Sequence, residues 1–146
     1  MSTEHKKTVV LTAEEGASLS SGTLRLYAAA TTRLSTPQSP LIVGCIDLYS
    51  YDPLNRRAAV GIMVANEHRR QGYALAMLHE LQTMYSVRDG AQASTPLHQL
   101  YADIAAANAA SLALFRKAGY AECGRFKEWL EYDSHFIDNI RMQLIL

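Results

Sequence analysis

The order of sequence patterns predicts a mixed α/β fold, one sheet with helices packed on it. Three observations carry that expectation. Runs rich in Leu, Ile, Val and Tyr come first, at 23–32, 41–51 and 57–65. Ala74, Leu75, Leu78, Leu81 and Tyr85 then recur at steps of three and four, the period of an amphipathic helix. After them, strand and helix patterns alternate before two closing strands. A chain of 146 residues, 49% hydrophobic and 19% charged, has the size and apolar content of one folded domain, 1–146.

Taken in order, the polar start Met1–Lys7 leads into an apolar run, Thr8–Thr12, too brief for a signal peptide or a membrane span. Thr12-Ala13-Glu14-Glu15 fits a capping box and predicts a short helix to about Leu19. Ser18–Gly22, Ser35–Pro40 and Asp89–Pro96 read as loops. Thr23–Thr32 and Leu41–Tyr51 suit an antiparallel pair, and Arg57–Ala65 follows the Asp52–Asn55 turn as a third strand. The long helix is expected over Gly72–Val87. Leu97–Ala107 is the next strand, with Tyr101, Asp103 and Ala105 on one face by period two. Asn108 can cap a second helix to about Ala118, and Gly119 suits its end. Strands Ala121–Tyr132 and Phe136–Ile145 close the chain around a turn at 133–135.

Charge excludes several classes of function. Lys and Arg total 14 against 14 Asp and Glu, so no overall field draws nucleic acid or an anionic membrane. Cys45 and Cys123 stand alone in apolar stretches and read as buried free thiols of a reducing, cytoplasmic compartment. The histidines show no helix-spaced pair, which argues against a metal site.

The chemistry concentrates in two segments. Arg69-Arg70-Gln71-Gly72-Tyr73-Ala74 sits where the third strand hands over to the long helix, so unpaired helix amides point into the turn and attract phosphate. Gly72 lets an anion approach the backbone, Ala74 keeps the next site small, and Arg69 and Arg70 add charge. A solvated helix start is the plainer reading of the same residues. Downstream lies Asn108-Ala109-Ala110-Ser111-Leu112-Ala113-Leu114-Phe115-Arg116-Lys117-Ala118-Gly119-Tyr120.

Together these segments resemble the GCN5-related N-acetyltransferase (GNAT) superfamily. The closing runs Gly124–Glu128 and Phe136–Met142 look like its branch of ribosomal-protein and spermidine N-acetyltransferases, and the likeness spans residues 41–146. The resemblance implies a splayed central sheet and acetyl-CoA as co-substrate. Its pyrophosphate would rest on Arg69, Arg70, Gln71, Gly72, Tyr73 and Ala74, and its pantetheine arm would pair as an added strand with Gly61, Ile62, Met63 and Val64. Asn108, Ser111, Phe115 and Lys117 are the expected contacts from the second segment, with Asn108 equally able to serve as a helix cap.

The match departs from the family twice. Phe115 stands where many members have a Tyr that protonates the departing thiolate, and Ser111, one helical turn away on the same face, is the substitute donor. Glu67 and Glu128 are candidate bases acting through water, with Asp103 another carboxylate near the cleft. The family also places a strand and two helices ahead of the first hairpin, whereas only about 22 residues precede Thr23, an atypically short N-terminal segment.

The implied activity is direct acetyl transfer to an amine, either a protein N-terminus or a small amine or polyamine. An α-amine, with a pKa of about 7.7–8.0, demands less help than a Lys or polyamine nitrogen. An acyl-CoA-binding module without turnover is the alternative. A nucleotide-binding domain of another lineage would need Gly-x-Gly-x-x-Gly or Gly-Lys-Ser/Thr, which the turn lacks. Trp129 reads as core or dimer packing, in keeping with a homodimer.

Overall fold

The computed structural model describes residues 7–32, 35–86 and 96–146. Strands β1 (Val9–Ala13), β2 (Leu24–Ala30), β3 (Ile42–Asp52) and β4 (Arg57–Val64) form an antiparallel meander. Helix α1 (Tyr73–Tyr85) then crosses over to β5 (Gln99–Ala105), which runs parallel to β4. Helix α2 (Ala109–Lys117) leads to the hairpin of β6 (Ala121–Tyr132) and β7 (His135–Ile145). The sheet order is β1-β2-β3-β4-β5-β7-β6, because β7 inserts between β5 and β6. The expected mixed α/β architecture is what the chain adopts.

One face of the sheet carries the core. Leu24, Leu26 and Ala28 of β2, Ile46 and Leu48 of β3, and Leu100 and Ala102 of β5 are buried against Met77, Leu78 and Leu81 of α1 and Leu112 and Phe115 of α2. The alternating partners Arg25, Tyr27, Tyr49, Tyr101, Asp103 and Arg141 lie on the other face, half-buried or exposed. The buried stripe of α1 is rotated from the expected one: Tyr73, Ala76 and Met77 join it, while Ala74 and Leu75 are only half-buried.

The helix expected from Thr12 is not formed. Thr12 and Ala13 end β1, in which Val9 and Leu11 are buried while Val10 and Thr12 are exposed. Strict alternation in a β-branched run overrides a local capping signal, and Gly16, at φ +81°, interrupts any helix within a turn. A single 3₁₀ turn at Leu19–Ser21, capped by Ser18, is the only helical element between β1 and β2. The N-terminal strand of the expected architecture is therefore present, and the two helices that would follow it are replaced by this short connection.

Two further expectations change. Cys123 is exposed on the edge strand β6, its thiol near the Arg141 carbonyl, and Cys45 is half-buried, so neither is a buried core thiol. Trp129 is 66% exposed and packs on Phe126, so it is not a core residue. The loop expected at 89–95 and the helix end at Val87 lie outside the described residues.

Candidate functional site

The site forms where the sheet comes apart. The parallel ladder between β4 and β5 holds for three pairs, Arg57 with Gln99, Ala58 with Leu100 and Ala59 with Tyr101. Beyond Ala59, β4 stays paired to β3 through Val64, while β5 stays paired to β7 through Ala105. The edge of β4 from Val60 onward is thus released toward the gap. Gly44 shapes this departure, because a Cβ there would run into the Met63 carbonyl and press on Val64 Cα. Only glycine lets β3 come that close.

The cradle follows directly. Asn66–His68 make one 3₁₀ turn, Arg70 and Gly72 adopt positive φ (+61° and +89°), and α1 begins at Tyr73. Gly72 is the N-cap and supplies no side-chain acceptor, so the first amides of α1 remain without an intrahelical or capping partner. Arg69 Nε donates to the Val64 carbonyl at 3.1 Å, and Gln71 Nε2 donates to the Glu67 carbonyl at 3.2 Å. These two bonds bind the loop to the strand and close it on itself. Lys7 lies alongside, its ammonium 5.3 Å from the centre of the Tyr73 ring.

A cleft of about 630 Å³ runs from this cradle along β4 to α2. Ile62, Met63 and Val64 form its strand side, and Arg69, Arg70, Gly72, Tyr73 and Ala74 its cradle end. Asn108, Ser111 and Lys117 close it from α2. Every ionisable residue on this wall is basic: His68, Arg69, Arg70 and Lys117, apart from the phenol of Tyr73. Such a lining attracts phosphate and other anions and repels cations.

A second opening of about 190 Å³ occupies the splay itself. It shares Ile62, Asn108 and Ser111 with the first and adds Gly61, Phe115 and Asp103. Ser111 and Phe115 therefore do share a face, and Ser111 stands where the two openings meet. Asn108 caps α2, its Oδ1 accepting from the Ser111 amide at 3.1 Å, which leaves its amide nitrogen free of that role.

Asp103 is engaged rather than free. Arg141 donates to both its oxygens, Nε to Oδ1 at 2.9 Å and Nη2 to Oδ2 at 3.0 Å, and Asn139 adds a 3.3 Å bond. The guanidinium holds the Asp103 carboxyl below its ordinary value, with further help from Asn139 against partial burial. An acid so held is a poor proton acceptor.

Three anticipated residues fall outside both linings. Gln71 and Glu67 are exposed on the loop, the Gln71 side chain bonded to the Glu67 backbone carbonyl, and Glu128 is exposed on the outermost strand β6. Glu128 has φ +50° in a bulge where three residues, Lys127–Trp129, stand opposite Asp138 alone. Its amide donates to Asp138 Oδ1 at 2.8 Å, and Arg125 donates to Oδ2 at 2.6 Å. Conversely, Leu75, Ala110, Leu114 and His68 line the larger cleft and were not anticipated. The spacing 110, 111, 114, 117 is one helical face and would have found Ala110 and Leu114 beside Ser111 and Lys117.

The family model described as the acetyltransferase (GNAT) domain matches residues 7–121. The chain belongs to this GNAT acetyltransferase family. A curated GNAT relative, spermidine N(1)-acetyltransferase of Vibrio cholerae, is 23% identical over 105 residues, 71% of this chain. The match spans 57% of that relative's length. Among solved structures, the Vibrio cholerae spermidine N-acetyltransferase in complex with CoA and spermine superposes with a TM-score of 0.70 at 20% identity, covering 86% of this chain and 67% of that one. A dodecameric structure of the spermidine N-acetyltransferase from the same organism gives 0.67 at 21% identity, covering 85% and 65%. At such identities the likeness establishes the GNAT fold.

Proposed function

We propose that the protein is an acetyl-CoA-dependent N-acetyltransferase that moves the acetyl group directly to an amine. The observation that carries this reading is the released edge of β4, set in one basic cleft with the uncapped start of α1. An extended pantetheine arm needs an unpaired strand, and a pyrophosphate needs unpaired amides with cations around them. Both are in place, in line, and joined by the Arg69 bond to Val64. The relative solved with CoA and spermine supports the same pairing of cofactor and amine.

Acetyl-CoA supplies an activated thioester. Arg69, Arg70 and the amides beyond Gly72 would hold the diphosphate, with Tyr73, Ala74 and Lys117 beside it. The Gly61–Val64 backbone would align the arm and offer an N–H to the oxygen that gains charge when the amine nitrogen attacks the carbonyl carbon. As the C–S bond breaks, the nitrogen sheds a proton and the thiolate takes one; Ser111, which lines both openings, would give its proton to sulfur and recover one from the nitrogen through water. Phe115, buried and without a hydroxyl, closes the apolar side. Its ring also favours a second reading, an acyl-CoA-binding module without turnover.

Titration calorimetry with acetyl-CoA, followed by CoA release over a panel of peptides and polyamines, tests the reading. Binding in the micromolar range with amine-dependent CoA release is expected. No heat at about 1 mM cofactor, a binding free energy weaker than about 4 kcal/mol, overturns it. Binding without release from any amine leaves the module. Ser111→Ala is expected to lower kcat about tenfold to a hundredfold with little change in cofactor affinity, within the range of a lost proton donor. We also place a self-association face at the end of the β6–β7 hairpin, supported by the exposed Trp129, Tyr132 and Phe136. Sedimentation of Trp129→Ser against wild type tests it: self-association of wild type that the variant loses is expected, and a monomeric wild type or equal association of both overturns it.

A further inference from the structure

The acceptor side of the splay carries a feature that the family reading does not use. Asp103 lies two residues past the last β4–β5 pair and lines the smaller opening. Arg141 stands directly opposite it across the β5–β7 ladder and grips both its oxygens. The guanidinium is further held over the Tyr101 ring at 4.5 Å and near Phe126 at 5.6 Å. Tyr49 completes the group from β3, its phenol pushed up by burial and by the Asp103 charge, and its ring lies 3.6 Å from where a Cβ on Gly61 would be. An arginine fixed by a carboxylate and an aromatic face has lost its freedom before any ligand arrives. Asp103 engages its Nε and Nη2 and leaves the Nη1 donors outside that pairing.

On the strands of this face, among the described residues, the other carboxylates are held by arginines as well. Asp47 is gripped at both oxygens by Arg25, each bond 2.8 Å, and Asp52 lies 3.3 Å from Arg57. Among the described strand residues of this face the acids come as Arg–Asp pairs. A polyamine needs carboxylates for two or three ammonium groups and would meet strand carboxylates already compensated, with the Arg141 guanidinium beside Asp103 at the edge of the opening. We propose that Arg141 is an acceptor-binding residue, and that the acceptor is an amine with a carbonyl oxygen close to its nitrogen, as in a peptide N-terminus, and not a polyamine. The inference rests on the acetyltransferase reading and names the substrate class of that site. Arg141 Nη1 takes the carbonyl oxygen, and the neutral α-amine enters the splay between Gly61 and Asp103.

The experiment uses the full chain with acetyl-CoA and two probes, a tetrapeptide with a free N-terminus and spermidine. Each is read as calorimetric affinity for the CoA-loaded protein and as kcat and KM for CoA release. Wild type is expected to prefer the tetrapeptide by about tenfold or more in kcat/KM, the scale of one charge-assisted hydrogen bond. Arg141→Gln should raise the peptide KM about tenfold with kcat within about twofold, and should improve spermidine, because Asp103 is freed to take a cation. Arg141→Lys keeps the charge, lacks the fork, and should remain impaired for the peptide. Acetyl-CoA affinity equal to wild type shows each variant folded. A wild-type preference for spermidine, or equal losses for both probes in Arg141→Gln with cofactor affinity intact, overturns this inference alone. Failure of wild type to bind acetyl-CoA takes the acetyltransferase reading down with it.

Discussion

Tyr120 shows how a single side chain can be held against its own chemistry. It is 3% exposed, stands edge-on to Phe115 at 4.9 Å, and its hydroxyl has no hydrogen-bond partner among the described residues. Burial pushes the phenol well above its usual range. A buried hydroxyl without a partner costs about 1–3 kcal/mol, and removing it leaves the ring contacts intact. Tyr120→Phe should therefore be neutral or stabilising by up to about 1 kcal/mol in urea unfolding. A clear loss of stability would mean that the hydroxyl has a partner. Gly72 is the opposite case, a residue chosen for conformation. At φ +89° any side chain is strained, and a Cβ would also meet Lys7 Cγ at 3.4 Å. Gly72→Val should weaken acetyl-CoA binding by calorimetry about tenfold or more, through a distorted cradle rather than a lost contact.

Elements matter here through where they stop pairing. Strand β4 is an antiparallel partner of β3, and it presents an open edge only because β5 follows β7 instead. Gly44 sits behind that edge. Gly44→Ala should destabilise by about 1–3 kcal/mol, the scale of overpacking, and should weaken acetyl-CoA binding because the displaced atoms belong to Met63 and Val64. Chemical denaturation and calorimetry on the same variant check both effects. If stability falls with cofactor affinity unchanged, the β4 edge is not where the arm binds. The hairpin end has its own device, Asp138 accepting the Glu128 amide inside the bulge while Arg125 secures the carboxylate. Glu128 is therefore held in a bulge of the outer strand, outside both linings.

At the scale of the whole molecule, pH should act through three carboxylates whose native partners hold them low. Asp52 is held by Asn55, with lesser contributions from Leu54 and Arg57, Asp103 chiefly by Arg141, and Asp138 chiefly by the Glu128 amide with Arg125. Unfolded, each titrates near about 3.9, so their stabilising effect is complete above that value and is lost as pH falls through the lower native values. Urea midpoints should be nearly level between about pH 5 and 8 and fall below about pH 4, with Asp103→Asn reducing the slope of that acid limb. A midpoint that falls instead between about pH 5 and 8 would trace stability to the histidines. Much of this molecule was legible in one dimension. Period-two and period-3.6 patterning located β2 to β7 and both helices, and the cleft lined by Arg69, Arg70, Gly72, Asn108 and Ser111 was legible because helix starts and helix caps are local in sequence. β1 was missed because a five-residue edge strand competes with a capping signal at Thr12, and only pairing with β2 decides between them. The insertion of β7 beside β5, the pairing of Arg141 with Asp103 at a separation of 38 residues, and the point at which β4 and β5 part depend on contacts between distant strands. Amino-acid order by itself determined β2 to β7, both helices and the turn that opens α1, since those follow from local sterics and periodicity. Tertiary structure alone decided which charges are already spent on one another, because a carboxylate's availability depends on its neighbours in space.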